Sequence, residues 1–251
     1  MSELSRRYGG DRPDIPDDAP LTGFELRAFS QNGEDGVLLE LLRRAGEGSR
    51  TFVEFGAGDG RENSTLFLAD VLGWAGLYIE GDAARAARLQ AKYADTAIEV
   101  KCEIVTPDTI DDIFESAGVP AEPDVLSIDV DGPDYWIWSG LRRHRPRILL
   151  IEYNASLGTG SALVQPRDRQ DDFDRTAYGG ASITALRSLG ARKGYRLVHT
   201  EMTGNNAFFV RDDQPGTYPA PERVPLRPPN HYLTGTGHRR DRQSRPYVNP
   251  G

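Results

Sequence analysis

A short apolar run, Thr51-Phe52-Val53-Glu54-Phe55, leads directly into Gly56-Ala57-Gly58-Asp59-Gly60. Few folds accept that juxtaposition. The run has the length and the β-branched and aromatic content of a strand. Three glycines in five positions let the backbone turn sharply and approach another group closely, where a Cβ would collide. A strand that ends in such a turn and hands over to a helix opens a parallel α/β unit, and open α/β sheets bind ligands beyond the carboxyl ends of their strands.

The remainder of the chain keeps up the alternation. Residues 26–45 contain Ser30-Gln31-Asn32-Gly33-Glu34-Asp35-Gly36 and then Val37, Leu38, Leu41 and Leu42 at helical spacing. Strands are expected at 51–55, 76–80, 98–105, 124–129, 147–152, 195–200 and 206–211, and helices at 64–72, 83–93, 110–117 and 183–193. Near-continuous apolar strands between helices are what a parallel sheet covered on both faces requires. The expected fold is therefore α/β and Rossmann-like, in one domain over 21–211. A polar, Pro-rich segment (1–20) precedes it and a Pro/Arg-rich tail (212–251) follows.

Charge is unevenly spread. The formal net charge is −8, yet residues 221–251 carry six Arg (223, 227, 239, 240, 242 and 245) against Glu222 and Asp241, leaving −12 for the rest. Eight of the 17 Pro lie at or beyond Pro215, so the tail is expected to be irregular: an appendage, a strap over the site or an oligomer contact, with Tyr232, Leu233 and Tyr247 as docking residues. Overall acidity argues against a general nucleic-acid binder. No apolar run approaches the roughly 18 residues a membrane span needs, and the first residues lack the apolar core of a secretory signal. A single cysteine, Cys102, excludes a disulfide framework. The expectation is a soluble, cytoplasmic protein whose partner is a small molecule rather than nucleic acid or membrane, with a homodimer left open.

Two constellations carry chemistry. The first is the glycine turn together with Glu80, which ends the second strand 24 residues after Gly56. A carboxylate there can accept hydrogen bonds from both hydroxyls of a ribose. Dinucleotide-binding folds share the spacing, but their third glycine would fall where this chain has Arg61. Glu54, Asp59 and Glu80 are expected to converge on one sheet edge. The second constellation is acidic: Asp129 and Asp131 end the fourth strand, and Glu152-Tyr153-Asn154 ends the fifth. Asp129, Asp131, Glu152 and Asn154 offer up to four hard oxygen ligands, a set suited to Mg²⁺ or Ca²⁺. Metal-free active-site carboxylates are a second reading, and Asp131 capping the Asp-Gly-Pro turn is a third.

The segments 30–36, 52–60, 73–82 (Gly-Trp-Ala-Gly-Leu-Tyr-Ile-Glu-Gly-Asp), 124–135 (Asp-Val-Leu-Ser-Ile-Asp-Val-Asp-Gly-Pro-Asp-Tyr), 151–154 and 206–210 together resemble a class I S-adenosylmethionine-dependent methyltransferase. Within that class they look most like the FkbM-type family. The resemblance implies a seven-stranded, mostly parallel sheet with helices on both faces and the last strand antiparallel beside the fifth. It also implies S-adenosylmethionine lined by Gly56 and Gly58, its ribose on Glu80 and its adenine near Cys102 and Glu103, with Gln31, Glu54, Asp59 and Asp129 completing the cofactor set. Asp129, Asp131, Glu152 and Asn154 would be catalytic, or the ligands of a Mg²⁺, and Tyr153 would help position the acceptor. A nucleophilic Cys102 is the weaker reading, since no histidine is near in sequence to activate it. O-methylation of a small hydroxylated metabolite, sugar or natural-product intermediate is the expected activity. Aminocarboxypropyl transfer, cyclisation and a non-catalytic binding role on the same fold stand beside it. The long connection 155–182 is the expected acceptor-recognition loop, with Tyr178 reaching the pocket or exposed. Trp136 and Trp138 are expected to pack a helix on the sheet, His144 to sit in a solvated basic run, and His199 is a weak candidate base.

Overall fold

The computed structural model describes residues 19–46, 48–168, 176–230 and 241–251. Their strands are β1 (Thr51–Phe55), β2 (Ala75–Glu80), β3 (Ile98–Cys102), β4 (Val125–Ile128), β5 (Ile148–Glu152), β6 (Tyr195–Thr200) and β7 (Asn206–Arg211). All seven join one sheet in the order β3-β2-β1-β4-β5-β7-β6. The pairs among β1 to β5 are parallel, and β7 runs antiparallel between β5 and β6. The fold is thus the Rossmann-like, mostly parallel sheet the sequence implies, with the antiparallel strand beside the fifth.

Period-two alternation builds two cores. Val53 and Phe55 of β1 and Leu149 and Ile151 of β5 face α4 (Ile110–Ser116), α5 (Asp134–Gly140) and α6 (Ile183–Lys193). Phe52, Val125, Ile148 and Leu150 face the other way, onto α1 (Glu34–Ala45), α2 (Leu66–Asp70) and α3 (Ala83–Tyr93). Each such side chain contributes roughly 1.5–3 kcal/mol on burial. Local chemistry sets the helix ends. Asp82 accepts from Arg85 N at 2.8 Å to start α3, Ser182 caps α6, and Gly194 closes α6 in the left-handed region.

Three boundaries differ from the sequence expectation. The first helix starts at Glu34, because Asp35 Oδ2 accepts the backbone N–H groups of Ala28, Phe29 and Ser30 and holds them as a loop. The second helix starts at Leu66, because the Ser64 and Thr65 amides are turned onto Glu54. Strand β3 stops at Cys102, paired with the last residue of β2, so the chain beyond it has no partner at this sheet edge. The tail is irregular but docked: Tyr218 and Val224 are buried, and Val248 forms a bridge with Val164. Residues 1–18, Tyr232, Leu233, Arg239 and Arg240 lie outside the described residues. No helix among the described residues is long and apolar enough to cross a membrane.

The amino ends of β1, β4 and β5 are tied by one carboxylate. Asp124, fully buried, accepts from Gly48 N, Ser49 Oγ and Arg50 N and from Arg147 Nη1 at 2.5 Å. Replacing Asp124 by Ala would leave Arg147 and the two amides without their acceptor. A loss of about 3–5 kcal/mol is expected in urea unfolding, as for other broken buried ion pairs.

Candidate active site

The glycine turn is organised by contacts inside the protein. Gly56 sits at φ +65°, and a Cβ there would lie 1.8 Å from the Asp129 carbonyl oxygen, so the turn after β1 crosses directly over the tip of β4. Gly60 packs on Leu89 of α3 in the same way. Gly58, at φ +56°, has nothing within 4 Å of its Cβ position. Its N–H donates to Glu80 Oε2 at 2.6 Å, and Asp82 N donates to Glu80 Oε1 at 2.8 Å. A carboxylate has about four acceptor sites, so Glu80 keeps capacity for two more donors while its orientation is locked.

On the far side of Glu80, β3 ends in Cys102, its register partner. Cys102 is exposed, and Glu103 is paired with Lys101 at 3.9 Å. The next residue, Ile104, is 77% exposed, far more than any other large apolar side chain described, and its Cγ1 lies 3.4 Å from the Cβ position of Gly81. Gly58, Glu80 and Ile104 therefore present an open backbone, an oriented carboxylate and an apolar face at the edge formed by β1, β2 and β3. Two further buried acceptors have no hydrogen-bond donor among the described residues, Asn63 Oδ1 beside the turn and Asp35 Oδ1 at the start of α1. Asn63 is anchored through its Nδ2 on Ala57 O at 2.8 Å. An adenosine with a cationic amino-acid arm fits this donor-poor, acceptor-rich set: a base for Ile104, ribose hydroxyls for Glu80, an ammonium for the spare acceptors.

The second half of the site follows from the β4–β5 register. Ile128 pairs with Ile151, so Asp129 and Glu152 leave the sheet side by side. One oxygen each of Asp129, Asp131 and Glu152 fall within 4.8 Å of one another. Burial raises the Asp129 carboxyl well above the ordinary range, and the charges of Asp134, Asp131, Glu54 and Glu34 add to it. Glu152 is raised likewise, by burial and then by Asp129, Asp134 and Asp131. Asp134, fully buried, is pushed to about 6 by burial although it accepts from Val130 N and Gly132 N. Glu54 is pushed to about 7, again by burial, against the hydrogen bonds from Ser64 and Thr65. No basic side chain is among the groups that shift these four carboxyls. Asp129, Asp134 and Glu152 interact closely enough that their protonation belongs to the set and not to any one carboxyl.

The structure redirects several residues named from the sequence. Glu54 spends its carboxylate on Ser64 N, Thr65 N and Thr65 Oγ1, bracing the loop before α2. Asp59 turns to Arg61 and Arg88. Gln31 is exposed on the turn before α1. Asn154 Oδ1 accepts from Ser156 N, and its Nδ2 donates to Ala177 O and Gly179 O, so the amide pins the following loop instead of joining the carboxylates. Tyr153 is buried in the core, its hydroxyl on Arg227 O, and does not face the crevice as expected of an acceptor-positioning residue. The turn after β4 is capped by Asp134, not by Asp131, which itself sits at φ +58°. His199 is fully buried with Nε2 2.9 Å from Glu25, away from any substrate proton. His144 is buried against Phe114 and Asp111 rather than solvated. Tyr178 neither reaches the crevice nor lies exposed: it is buried against Tyr247 under Arg245. Trp138 packs on the sheet as expected, while half-buried Trp136 donates to Gln165 O at 2.7 Å. Of the recognition loop, Arg169, Asp171, Asp172, Asp174 and Arg175 lie outside the described residues.

Residues the sequence reading passed over include Ile104, Asn63, Asp134 and Glu34. Glu34 joins the edge from α1, where its carboxylate accepts from Asn206 Nδ2 at 2.8 Å. Only Asp134 carried a local signal, an acid in the first turn of a helix after Gly-Pro.

No family model matches the chain, and no curated protein matches its sequence. Solved structures do. The chain is similar to the N-terminal domain of EvdMO1, solved in the presence of SAH and D-fucose, at 17% identity and a TM-score of 0.46, over 83% of this chain and 94% of that one. It is similar to the citrinin polyketide synthase CMeT domain at 13% identity and 0.44, over 72% of this chain and 52% of that one. It is also similar to the CurJ carbon methyltransferase at 14% and 0.45, over 74% and 53%. The chain thus spans about half the length of the last two. At such identities and scores these are likenesses in the course of the chain.

Two glycines one residue apart are expected to behave differently. Gly56→Ala forces a Cβ into the Asp129 carbonyl and should cost more than about 3 kcal/mol in urea unfolding. Gly58→Ala meets only the left-handed backbone cost, about 1 kcal/mol, and should fold. Asp129→Asn removes a charge whose folded form prefers its proton. The native state takes up that proton and the unfolded chain does not, so this contribution to stability falls as pH rises from about 4 upward. The variant should therefore gain on the wild type as pH rises above about 4, read by thermal or urea melts across pH, and a difference that does not move with pH would contradict it.

Proposed function

We propose that the chain is an S-adenosylmethionine-dependent methyltransferase acting on a hydroxyl of a small acceptor. The observation that carries this reading is the division of one sheet edge into two unlike halves. Around β1 to β3 stand an open glycine, a carboxylate locked by two backbone N–H groups and an exposed isoleucine. Around β4 and β5, three carboxylates converge within 4.8 Å. The first half suits an adenosine and its amino-acid arm, and the second suits a nucleophile that must lose a proton. The cofactor, when bound, supplies a methyl group made electrophilic by a sulfonium. The protein's task is then alignment and proton removal. Asp129 or Glu152 would hold the acceptor hydroxyl and take its proton, while the methyl group would come from the cofactor, which keeps its sulfur as the thioether. Burial and the neighbouring acids raise the proton affinity of that pair, which strengthens an ionised member as a base.

A second reading of the same carboxylates is supported by their convergence: Asp129, Asp131 and Glu152 would hold a Mg²⁺, which would lower the pKa of a coordinated hydroxyl. The donors are hard oxygens, and they fit the ion. Asn154 drops out of that ligand set because its amide is already in use.

Calorimetric titration with S-adenosylmethionine should give saturable binding that Ile104→Ser weakens about tenfold (about 1.4 kcal/mol) with an unchanged melting temperature, since Ile104 is 77% exposed and holds nothing together. Equal affinity in the variant would contradict the adenosine placement. Products that gain one methylene in mass identify methyl transfer, whereas gain of an aminocarboxypropyl group identifies the other chemistry. Activity that survives chelation removes the metal.

A further inference from the structure

Within the connection between β5 and α6, residues 179 and 180 lie against the turn that carries Asp131 and have little stiffness of their own. Gly179 and Gly180 both lie at positive φ, +139° and +64°, and a two-glycine turn gives up more backbone entropy on ordering than any other pair. Its order is imported. From the active-site side, Asn154 Nδ2 holds Ala177 O and Gly179 O, and Gln165 Oε1 accepts from Gly180 N at 3.3 Å. Gln165 also lies against the turn after β4, its Oε1 3.0 Å from the Cβ position of Gly132. The Cβ position of Gly179 is 4.0 Å from Asp131 O. Gln165, Gly179 and Gly180 thus form a wall against the backbone of the 131–132 turn, which carries Asp131 toward Asp129 and Glu152.

From outside, the same wall is held by the end of the tail. Val164 and Val248 exchange both backbone hydrogen bonds, at 2.9 and 2.8 Å. On its other side Val164 bridges Ala181, through Gln165 N to Gly180 O and Ser182 N to Leu163 O. Val164, fully buried, is therefore the middle rung of a three-segment ladder whose outer member is the tail. Next to it, Gly179 N donates to Tyr247 Oη at 3.1 Å. The Tyr247 ring lies 5.0 Å from that of Tyr178, and Tyr178 Oη donates to Pro246 O. Arg245 sits 4.1 Å over the Tyr178 ring and donates to Thr176 Oγ1 at 2.6 Å. The tail's grip falls on residues 164 and 176–179, the acceptor half of the edge.

We propose that Tyr247 and Val248 are positioning residues for acceptor binding: through Gly179 and Val164 they fix the wall against Asp131, so that the fit of the acceptor, and not of the cofactor, depends on the end of the tail. This rests on the methyltransferase reading. The brace is built into the resting fold, and it assigns the Pro/Arg-rich segment a part in substrate selection that its composition does not suggest.

The test uses the full chain, Tyr247→Phe, which keeps the ring on Tyr178 and removes only the hydroxyl, and a chain ending at Ser244. Three quantities are measured: calorimetric affinity for S-adenosylhomocysteine, amide exchange over 163–168 and 176–182, and methyl-transfer kinetics on a fixed panel of sugars, phenols and hydroxy acids. For Tyr247→Phe the expected result is cofactor affinity within about twofold, exchange at 177–181 faster by roughly tenfold, and acceptor KM up by about fivefold with kcat held. The shortened chain should show the same split more strongly, and should it fail to fold, Tyr247→Phe still decides. Unchanged exchange and KM in Tyr247→Phe, or loss of cofactor affinity in step with KM, would overturn the proposal. Absence of turnover across the panel by the wild type overturns the acceptor class and the brace's role with it. Absence of cofactor binding by the wild type is the separate outcome that removes the methyltransferase reading itself.

Discussion

The turn after β1 and the tip of β4 meet where Gly56 passes over the Asp129 carbonyl, at a separation no side chain survives. That one close approach decides how the rest of the edge is laid out. It brings the glycine turn and the acidic strand ends into a common crevice, and it leaves Gly58, two residues on, facing outward with its N–H on Glu80. Glu80 and Asp82 then set where β2 ends and α3 begins. The two cores on either face of the sheet hold this arrangement from below.

The same approach concentrates charge. Glu34, Glu54, Asp129, Asp131, Asp134 and Glu152 lie close together, and the proton affinities of Glu54, Asp129, Asp134 and Glu152 rise in their company. A protein selected only for stability would neutralise such a set with arginine, of which this chain has many. Several of the described arginines pair elsewhere: with Asp124 at the opposite end of the strands, with Asp111 and Asp112, and with Asp241 in the tail. Folding tolerates the repulsion because some of these carboxylates are satisfied by backbone and hydroxyl donors, as Glu54 and Asp134 are. Asp129 and Glu152 are the members raised most firmly beside the turn, which suits groups that must take up and release a proton.

Local chemistry made much of the fold legible. Strand 51–55, helix 83–93, helix 183–193 and strands 195–200 and 206–211 appear with the bounds read from periodicity and caps. The antiparallel position of β7 was carried by resemblance, since no periodicity tells one strand direction from the other. The site was legible only by element. That the ends of β1, β2, β4 and β5 matter follows from sheet topology, but an acid that braces a loop, such as Glu54, reads the same as one that faces a ligand. Asn154 looked like a fourth oxygen ligand because the acceptors that occupy its amide lie more than 20 residues downstream. Ile104 passed unnoticed because it fell within the strand expected at 98–105, where an isoleucine reads as core until its exposure is known. The sequence left the tail open between an appendage, a strap and an oligomer contact, because its contacts are made by isolated residues, Tyr218, Val224, Tyr247 and Val248, which have no period.

The central claim is that one edge of the sheet holds an adenosine-bearing methyl donor on its β1–β3 side and the acceptor on its β4–β5 side. A crystal structure of the full chain with S-adenosylhomocysteine tests it most directly. The account predicts the ribose hydroxyls on Glu80, the adenine against Ile104, and the sulfur directed toward Asp129 and Glu152. A nucleoside bound elsewhere, or bound at this edge with its sulfur turned away from the carboxylates, would contradict it.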